Sequence, residues 1–232
     1  MKIAISLFLT SLLALTSVQA SDYDNAGATY SKKRPVDVDV NWSESQFETK
    51  PWIKEFRYVI VVNKANKGSD KQTLRLYEYG QLIKTTKVST GRDQFERKGS
   101  HGSTADAWTV TPTGYYTPQW LSRNHKSNAY KHKWSWLTGG ARMPNAIFFN
   151  GGIAFHSATS HTSELGSRAS GGCVRLPHEF SGDLFDRISY TSGSRIPKFS
   201  VTGEQTLDKD GNPVYKEDGY SALIIVQNVI VE

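Results

Sequence analysis

The sequence has a single cysteine, Cys173, among its 232 residues. A lone cysteine cannot form an intramolecular disulfide, so a disulfide-stabilised scaffold is excluded. In an oxidising compartment an unpaired thiol risks mispairing with other proteins, and an inert position would be filled as well by alanine, serine or valine. If the chain is exported, the thiol is therefore a candidate for chemistry.

Long apolar runs are missing except at the N-terminus. There, residues 3–15 form an apolar core after the positive Lys2, and Val18 and Ala20 place small residues at the −3 and −1 positions of a cleavage site. This pattern is typical of a secretory signal peptide over residues 1–20, and it is too short for a stable membrane anchor. We predict secretion across the inner membrane to the periplasm or cell wall, with no membrane span.

Concentrated charge is also missing. Lys and Arg number 28 against 22 Asp and Glu, a formal net charge of +6, but the basic residues are scattered apart from short clusters at 31–34 and 130–133. This distribution argues against binding of nucleic acid, and we predict no nucleic-acid partner. A polyanionic partner such as cell wall is compatible with the charge.

The predicted elements are mostly strands with one late helix. Residues 56–91 contain three strand-like runs, and residues 145–157 indicate two short strands around a hairpin at Gly151 and Gly152. Residues 178–190 have apolar positions at helical spacing. This order favours a mainly β fold, a β-sandwich or partly closed barrel, with one short helix after Cys173.

Six histidines compete for the role of base toward Cys173. His156 differs from the others because it ends an apolar run, where strand alternation fixes the direction of its side chain. It precedes Cys173 by 17 residues. The sequence alone leaves two interpretations open for His156, a general base and a satisfied core histidine. The others lie in polar or loop-like sequence or start the predicted helix: His101, His125, His132, His161 and His178.

The residues around Cys173 offer further groups for nucleophilic chemistry. A thiolate that attacks a carbonyl creates an oxyanion. The backbone N–H groups of Gly172 and Cys173 would point together toward it if Gly172 takes a conformation forbidden to other residues. Arg175 faces the same side as Cys173 if a strand continues there. Its guanidinium would keep the thiolate's surroundings positive or bind a substrate carboxylate. A surface cation on a strand edge is the alternative for Arg175.

The stretches NAIFFNGGIAFHS, ASGGCVRL and HEFSGDLFDRI, which begin at Asn145, Ala169 and His178, resemble the catalytic region of the L,D-transpeptidases of YkuD type. That family's pattern is a histidine ending a strand, a gap of comparable length, and then Ser/Thr-His-Gly-Cys-hydrophobic-Arg/Asn. The resemblance covers residues 56–201 and implies a catalytic domain of YkuD type there. The N-terminal polar arm, residues 21–55, and the C-terminal extension, residues 202–232, lie outside it.

The resemblance also implies acyl transfer in two halves. His156, oriented by Ser157, takes the proton of Cys173. The thiolate attacks a peptide carbonyl, with oxyanion donors at Gly172 and Cys173, and Ser170 positions the loop or the substrate. A D-alanine then leaves, and a second amine attacks the resulting thioester. No metal or other cofactor is expected.

The substrate implied by the resemblance is a peptidoglycan tetrapeptide stem, joined to another stem by a 3→3 cross-link. Such an enzyme serves peptidoglycan biosynthesis, cell wall organisation and cell shape. Two alternatives keep the same thioester. With water as acceptor the protein is an L,D-carboxypeptidase or amidase, and with a protein lysine it attaches a partner protein to the wall. A non-enzymatic wall-binding module is the third alternative, although it predicts loss of Cys173 or His156.

Two features depart from the family pattern. Gly171 stands where the family usually has a histidine, which affects substrate contact and rigidity beside the nucleophile. A segment near residues 115–142 has no clean period and is interpreted as an insertion forming a lid or wall. Trp120, Trp134 and Trp136 would line that lid or pack it onto the domain.

Overall fold

The structure, a computed structural model, describes residues 32–131, 137 and 139–232. The predicted signal peptide, Trp134 and Trp136 lie outside the described residues. The strands are β1 (Tyr58–Asn63), β2 (Thr73–Glu78), β3 (Gln81–Lys87), β4 (Thr90–Gly91), β5 (Phe95–Glu96), β6 (Ala107–Trp108), β7 (Gly114–Tyr116), β8 (Trp120–Lys126), β9 (Arg142–Asn150), β10 (Ile153–Ser157), β11 (Arg168–Ser170), β12 (Val174–Leu176), β13 (Ser192–Pro197), β14 (Tyr215–Tyr220) and β15 (Ala222–Gln227). The helices are α1 (Gln46–Thr49) and α2 (His178–Ser189), and short 3₁₀ turns lie at Pro51–Glu55, Ser100–Gly102 and Thr162–Glu164.

A five-stranded sheet has the order β3-β2-β1-β15-β7. Its centre is a parallel pair, β1 and β15, in which Tyr58 lies opposite Ala222 and Asn63 opposite Gln227. Both strands are continuous apolar runs, as expected of strands that are buried on both faces. The residues set apart as a C-terminal extension, 202–232, therefore contribute a central strand of this sheet.

A four-stranded sheet has the order β12-β10-β9-β8. Its edge strand β8 belongs to the segment interpreted as an insertion, yet it pairs regularly with β9, from Trp120 opposite Phe148 to Lys126 opposite Arg142. Much of β8 is polar and exposed, because an edge strand can face water. That composition hid the strand from a search for apolar periodicity.

The main core lies between the inner faces of the two sheets and is closed by α2. The helix follows Pro177 and buries Phe180, Leu184 and Ile188, spaced by four residues, so one helical face meets the sheets. The strand residues of this core are Tyr58, Ile60, Val62, Leu74, Leu76, Ile147, Phe149, Phe155, Val174, Leu176, Ala222, Ile224 and Val226. The expected mainly β class with a short helix after Cys173 is confirmed. Among the described residues, the two large sheets pack together and no closed barrel is formed.

The outer face of the five-stranded sheet carries a second core, formed with the N-terminal segment. Trp42 and Trp52, only 4% and 6% exposed, are buried there together with Phe47 and Ile53. Trp52 stacks on Phe199 with ring centroids 5.0 Å apart. This face is thus sealed by aromatic side chains. Among the described residues, no helix is long and apolar enough to cross a bilayer.

Candidate active site

The candidate site lies on the outer face of the four-stranded sheet, where β10 and β12 run in parallel. Phe155 pairs with Val174, and both belong to the main core. Continuing this register by one residue places Cys173 beside Ala154. Because side chains alternate along a strand, Ala154, His156 and Cys173 share the opposite, outer face. The structure therefore brings the predicted nucleophile and base to one face of neighbouring strands.

Cys173 lies in the turn between β11 and β12 and is partly buried. It packs against a small cluster that includes Phe148 and Ala154, and its Sγ lies 3.8 Å from the Gly152 carbonyl oxygen. Burial raises the pKa of the Cys173 thiol, against the opposing effects of the Ala154 N–H and the Arg175 charge. The thiol is therefore neutral at neutral pH.

His156 is 8% exposed on β10. Its Nδ1 lies 2.9 Å from the Ser157 carbonyl oxygen, which only accepts hydrogen bonds, so Nδ1 carries the proton and Nε2 is the acceptor. Burial lowers the pKa of His156 to about 4, although the Ser157 carbonyl opposes the shift. The resting pair is thus a neutral imidazole and a neutral thiol, rather than an ion pair.

Ser157 contacts His156 through its backbone rather than its hydroxyl. The Ser157 Oγ instead lies 2.9 Å from Nδ1 of His178, at the start of α2. Ser157 was predicted to orient His156, and the group of Ser157 that contacts the imidazole is its backbone carbonyl. His178 forms part of the support behind the strand.

Ser170 clamps the turn that carries Cys173. Its Oγ accepts a hydrogen bond from the Gly172 N–H at 3.1 Å and donates one to the Cys173 carbonyl. Gly172 has a φ of +122°, a conformation that disfavours other residues, and its carbonyl accepts from Thr111 Oγ1 at 2.6 Å. Because the Gly172 N–H is engaged within the turn, the Cys173 N–H is the remaining candidate donor to an oxyanion.

Arg175 lies opposite His156 on the neighbouring strand β12 and forms an ion pair with Glu164. Glu164 also contacts His161, with Nδ1 and Oε1 3.2 Å apart. The Arg175 charge lowers the pKa of Cys173 and of His156, although burial dominates both. This placement suits an electrostatic role, and binding of a substrate carboxylate by Arg175 stays a prediction.

An aromatic wall of Trp120, His125 and Phe148 extends this face. The sequence did not indicate that these three residues pack against one another. Trp120 stacks on Phe148 at 3.7 Å with an interplanar angle of 7°, and His125 meets Phe148 edge-on at 4.9 Å. The prediction that His125 lies in a loop is wrong, because it lies half-buried on β8. Phe148 also belongs to the buried cluster against which Cys173 packs, so the wall lies on the same face as the thiol.

Tyr130 and Arg92 were missed as well. The Tyr130 phenol occupies the space beside Gly171, and Arg92 donates to the Ala169 carbonyl just before the turn. Both residues come from distant parts of the chain, so local sequence carried no signal for them beyond the unusual Gly171.

The sequence model of the YkuD family, described as the L,D-transpeptidase catalytic domain, matches residues 57–215. The chain therefore belongs to this family, and the resemblance inferred from the motifs is confirmed. No curated protein matches the chain in sequence.

Several solved L,D-transpeptidases are similar in structure. One from Xylanimonas cellulosilytica is 18% identical with a TM-score of 0.46, and the match covers 74% of this chain and 61% of that one. One from Mycobacterium smegmatis is 17% identical with a TM-score of 0.43, covering 74% and 59%. L,D-transpeptidase 3 from Mycobacterium tuberculosis, in complex with a faropenem-derived adduct, is 16% identical with a TM-score of 0.43, covering 74% and 60%. The chain thus spans about three fifths of the length of these structures.

Proposed function

We propose that the protein is an exported, cysteine-dependent L,D-transpeptidase that acts on peptidoglycan tetrapeptide stems. The observation that carries the proposal is the placement of Cys173 and His156 on one face of neighbouring parallel strands. The hydrogen bond from His156 Nδ1 to the Ser157 carbonyl leaves Nε2 as a proton acceptor on that face. A nucleophile and an oriented base are the minimum that thiol acyl transfer requires.

In the first half-reaction, Sγ of Cys173 attacks the carbonyl carbon of the third stem residue while Nε2 of His156 takes the thiol proton. Because burial disfavours both the thiolate and the imidazolium, we expect proton transfer to be coupled to the attack. The Cys173 N–H stabilises the oxyanion. The bond from carbon to the D-alanine nitrogen then breaks, His156 returns the proton to that nitrogen, and a thioester remains.

In the second half-reaction, an amine of another stem attacks the thioester carbon. The new C–N bond forms, the C–S bond breaks, and the amine proton passes through His156 to the departing thiolate. The product is a 3→3 cross-link, and Cys173 is regenerated. With water as acceptor, the same steps would release a tripeptide and define an L,D-carboxypeptidase. With a protein lysine, they would attach that protein to the wall.

Product analysis distinguishes these acceptors. The mature protein is incubated with purified tetrapeptide muropeptides, and the products are separated and weighed by mass spectrometry, with Cys173→Ala as control. We expect free D-alanine together with cross-linked dimers. Tripeptides without dimers would replace the transpeptidase assignment by hydrolysis. Products of equal yield from Cys173→Ala would remove Cys173 from the chemistry.

Export is tested separately from catalysis. Cleavage after Ala20 predicts that protein recovered from the periplasm begins at Ser21. Edman degradation or intact mass of the recovered protein gives the N-terminus directly. An intact N-terminus at Met1 in protein confined to the cytoplasm would contradict export.

A further inference from the structure

The backbone conformation of Gly171 does not explain why this residue is a glycine. Gly172 has a φ of +122°, but Gly171 does not have a positive φ, so its conformation is open to other residues. What excludes a side chain is a neighbour. A Cβ built on Gly171 would lie 2.0 Å from Oη and 2.3 Å from Cζ of Tyr130. The phenol of Tyr130 therefore fills the space that a side chain at 171 would take.

The backbone around Tyr130 is fixed by several hydrogen bonds. Ser127 Oγ accepts from the N–H groups of Ala129 and Tyr130 at 3.2 and 3.1 Å. The Tyr130 carbonyl accepts from the Ala141 N–H at 2.7 Å. Tyr130 also forms a bridge with Ser103. The ring thus projects toward Gly171 from a firmly held segment.

Arg92 links Tyr130 to the residues that precede the nucleophile. Its guanidinium donates to the Ala169 carbonyl and forms an ion pair with Glu96, and its backbone N–H donates to the Ser170 carbonyl at 3.0 Å. Arg92 and the Tyr130 phenol also interact electrostatically. Burial, reinforced by the charge of Glu96, raises the pKa of Tyr130 to about 12, so its phenol is uncharged at neutral pH.

We propose that Tyr130 is the positioning residue of the nucleophile turn. Its phenol takes the place left by Gly171 and, with Arg92, holds residues 169–173 so that the Cys173 thiol and N–H face one reacting carbonyl. A side chain contributed from a distant segment thus replaces the histidine that the family pattern places within the turn. The inference rests on the proposed function, in which Cys173 is the nucleophile.

The test is a double-mutant cycle with two probes of Cys173. Imipenem acylates a thiol through an oxyanion, so its rate depends on the alignment of thiol and N–H. Iodoacetamide alkylates the same thiol by direct displacement and needs no oxyanion stabilisation. Unfolding exposes the thiol, so it would speed alkylation while it slows acylation. Both rates are therefore measured on preparations that a thermal melt shows to be folded, and their ratio then reports positioning. The variants are Gly171→Ala, Tyr130→Ala and their combination, together with the pair Tyr130→Ala and Gly171→His.

We expect Gly171→Ala to displace the phenol and to lower the ratio about tenfold or more, as a small misplacement of reacting groups does. Tyr130→Ala should lower it by a similar factor. Because both changes act on one space, Gly171→Ala should cause no further loss when Tyr130 is already alanine. The pair with Gly171→His should regain part of the ratio. The control Gly182→Ala should leave it unchanged, since a Cβ there lies 3.7 Å from its nearest neighbour.

Three results would overturn the proposal. They are an unchanged ratio in Gly171→Ala, losses that multiply in the double variant, and a fall in the acylation rate that only follows the folded fraction. Failure of the proposed function looks different, because wild-type protein would then form no imipenem adduct. In that case the cycle is judged from thermal unfolding midpoints and alkylation rates, where additive effects of the two substitutions would still overturn the pairing of Tyr130 with Gly171.

Discussion

The two sheets share one core on their inner faces, but their outer faces are built differently. On the five-stranded sheet, large side chains such as Tyr77 and Ile225 meet the aromatic residues of the N-terminal segment. On the four-stranded sheet, Ala146, Ala154 and Cys173 line the face beside Phe148. Large residues seal the first face. The second face carries small residues around the thiol and the histidine.

This difference separates stability from chemistry. The sealed face buries apolar area, which stabilises the fold. The other face buries His156 and Cys173, whose charged forms are disfavoured by that burial, so the reactive pair rests in its neutral form. Substitutions on the two faces should therefore have opposite signatures in stability and in rate.

The largest effect on rate is expected from Cys173→Ala. Removing the sulfur removes the only thiol of the chain, so turnover of tetrapeptide muropeptides should fall to background. The side chain is small and partly buried, and the thermal midpoint should change little. Turnover by mass spectrometry and a thermal melt of the same preparation check both expectations. A variant that keeps its turnover would move the chemistry away from this face.

His156→Gln should lower turnover by about 10²- to 10⁴-fold, the usual contribution of a general base. The imidazole Nε2 is the proton acceptor inferred from the Nδ1 hydrogen bond to Ser157. His178→Gln is the matched control, because His178 contacts the Ser157 hydroxyl instead. Equal losses in the two variants would indicate that His156 acts only through the structure of the strand.

Trp52→Ala should produce the opposite signature on the sealed face. Trp52 is 6% exposed and stacks on Phe199, so its removal should lower the free energy of unfolding by about 3 to 5 kcal/mol. The rate per folded molecule should stay the same. Trp120→Ala is the matched control, because Trp120 is 43% exposed and should affect stability much less. Chemical denaturation, with rates corrected for the folded fraction, provides the measurement.

The smallest effect concerns the pH dependence of alkylation at Cys173. Burial holds the pKa of Cys173 above its ordinary value, so the alkylation rate should rise toward alkaline pH. Arg175 opposes that shift, and Arg175→Gln should move the profile further upward in pH. The raised pKa also means that Cys173 contributes stability below its unfolded pKa, which is lost as pH rises through the folded pKa. A profile that moves downward in Arg175→Gln would contradict the electrostatic role.

The sequence located the site best where the information was local. Strand alternation distinguished His156 from the other histidines, and the turn residues around Cys173 formed a recognisable motif. The residues and strands that hold the site in place were harder to predict. Arg92 contacts Ala169 across 77 positions, and β8 is a polar edge strand whose pairing depends on its neighbour β9. Such contacts are decided by packing between distant segments, which local periodicity does not encode.

Intact-mass analysis with imipenem tests the central claim most directly. Wild-type protein, Cys173→Ala and His156→Gln are incubated with the drug under identical conditions, and the modified residue is located by peptide mapping. We predict one covalent adduct on Cys173 of the wild type, much slower formation in His156→Gln and none in Cys173→Ala. No adduct on the wild type, or an equal adduct on Cys173→Ala, would contradict the assignment of Cys173 as the nucleophile.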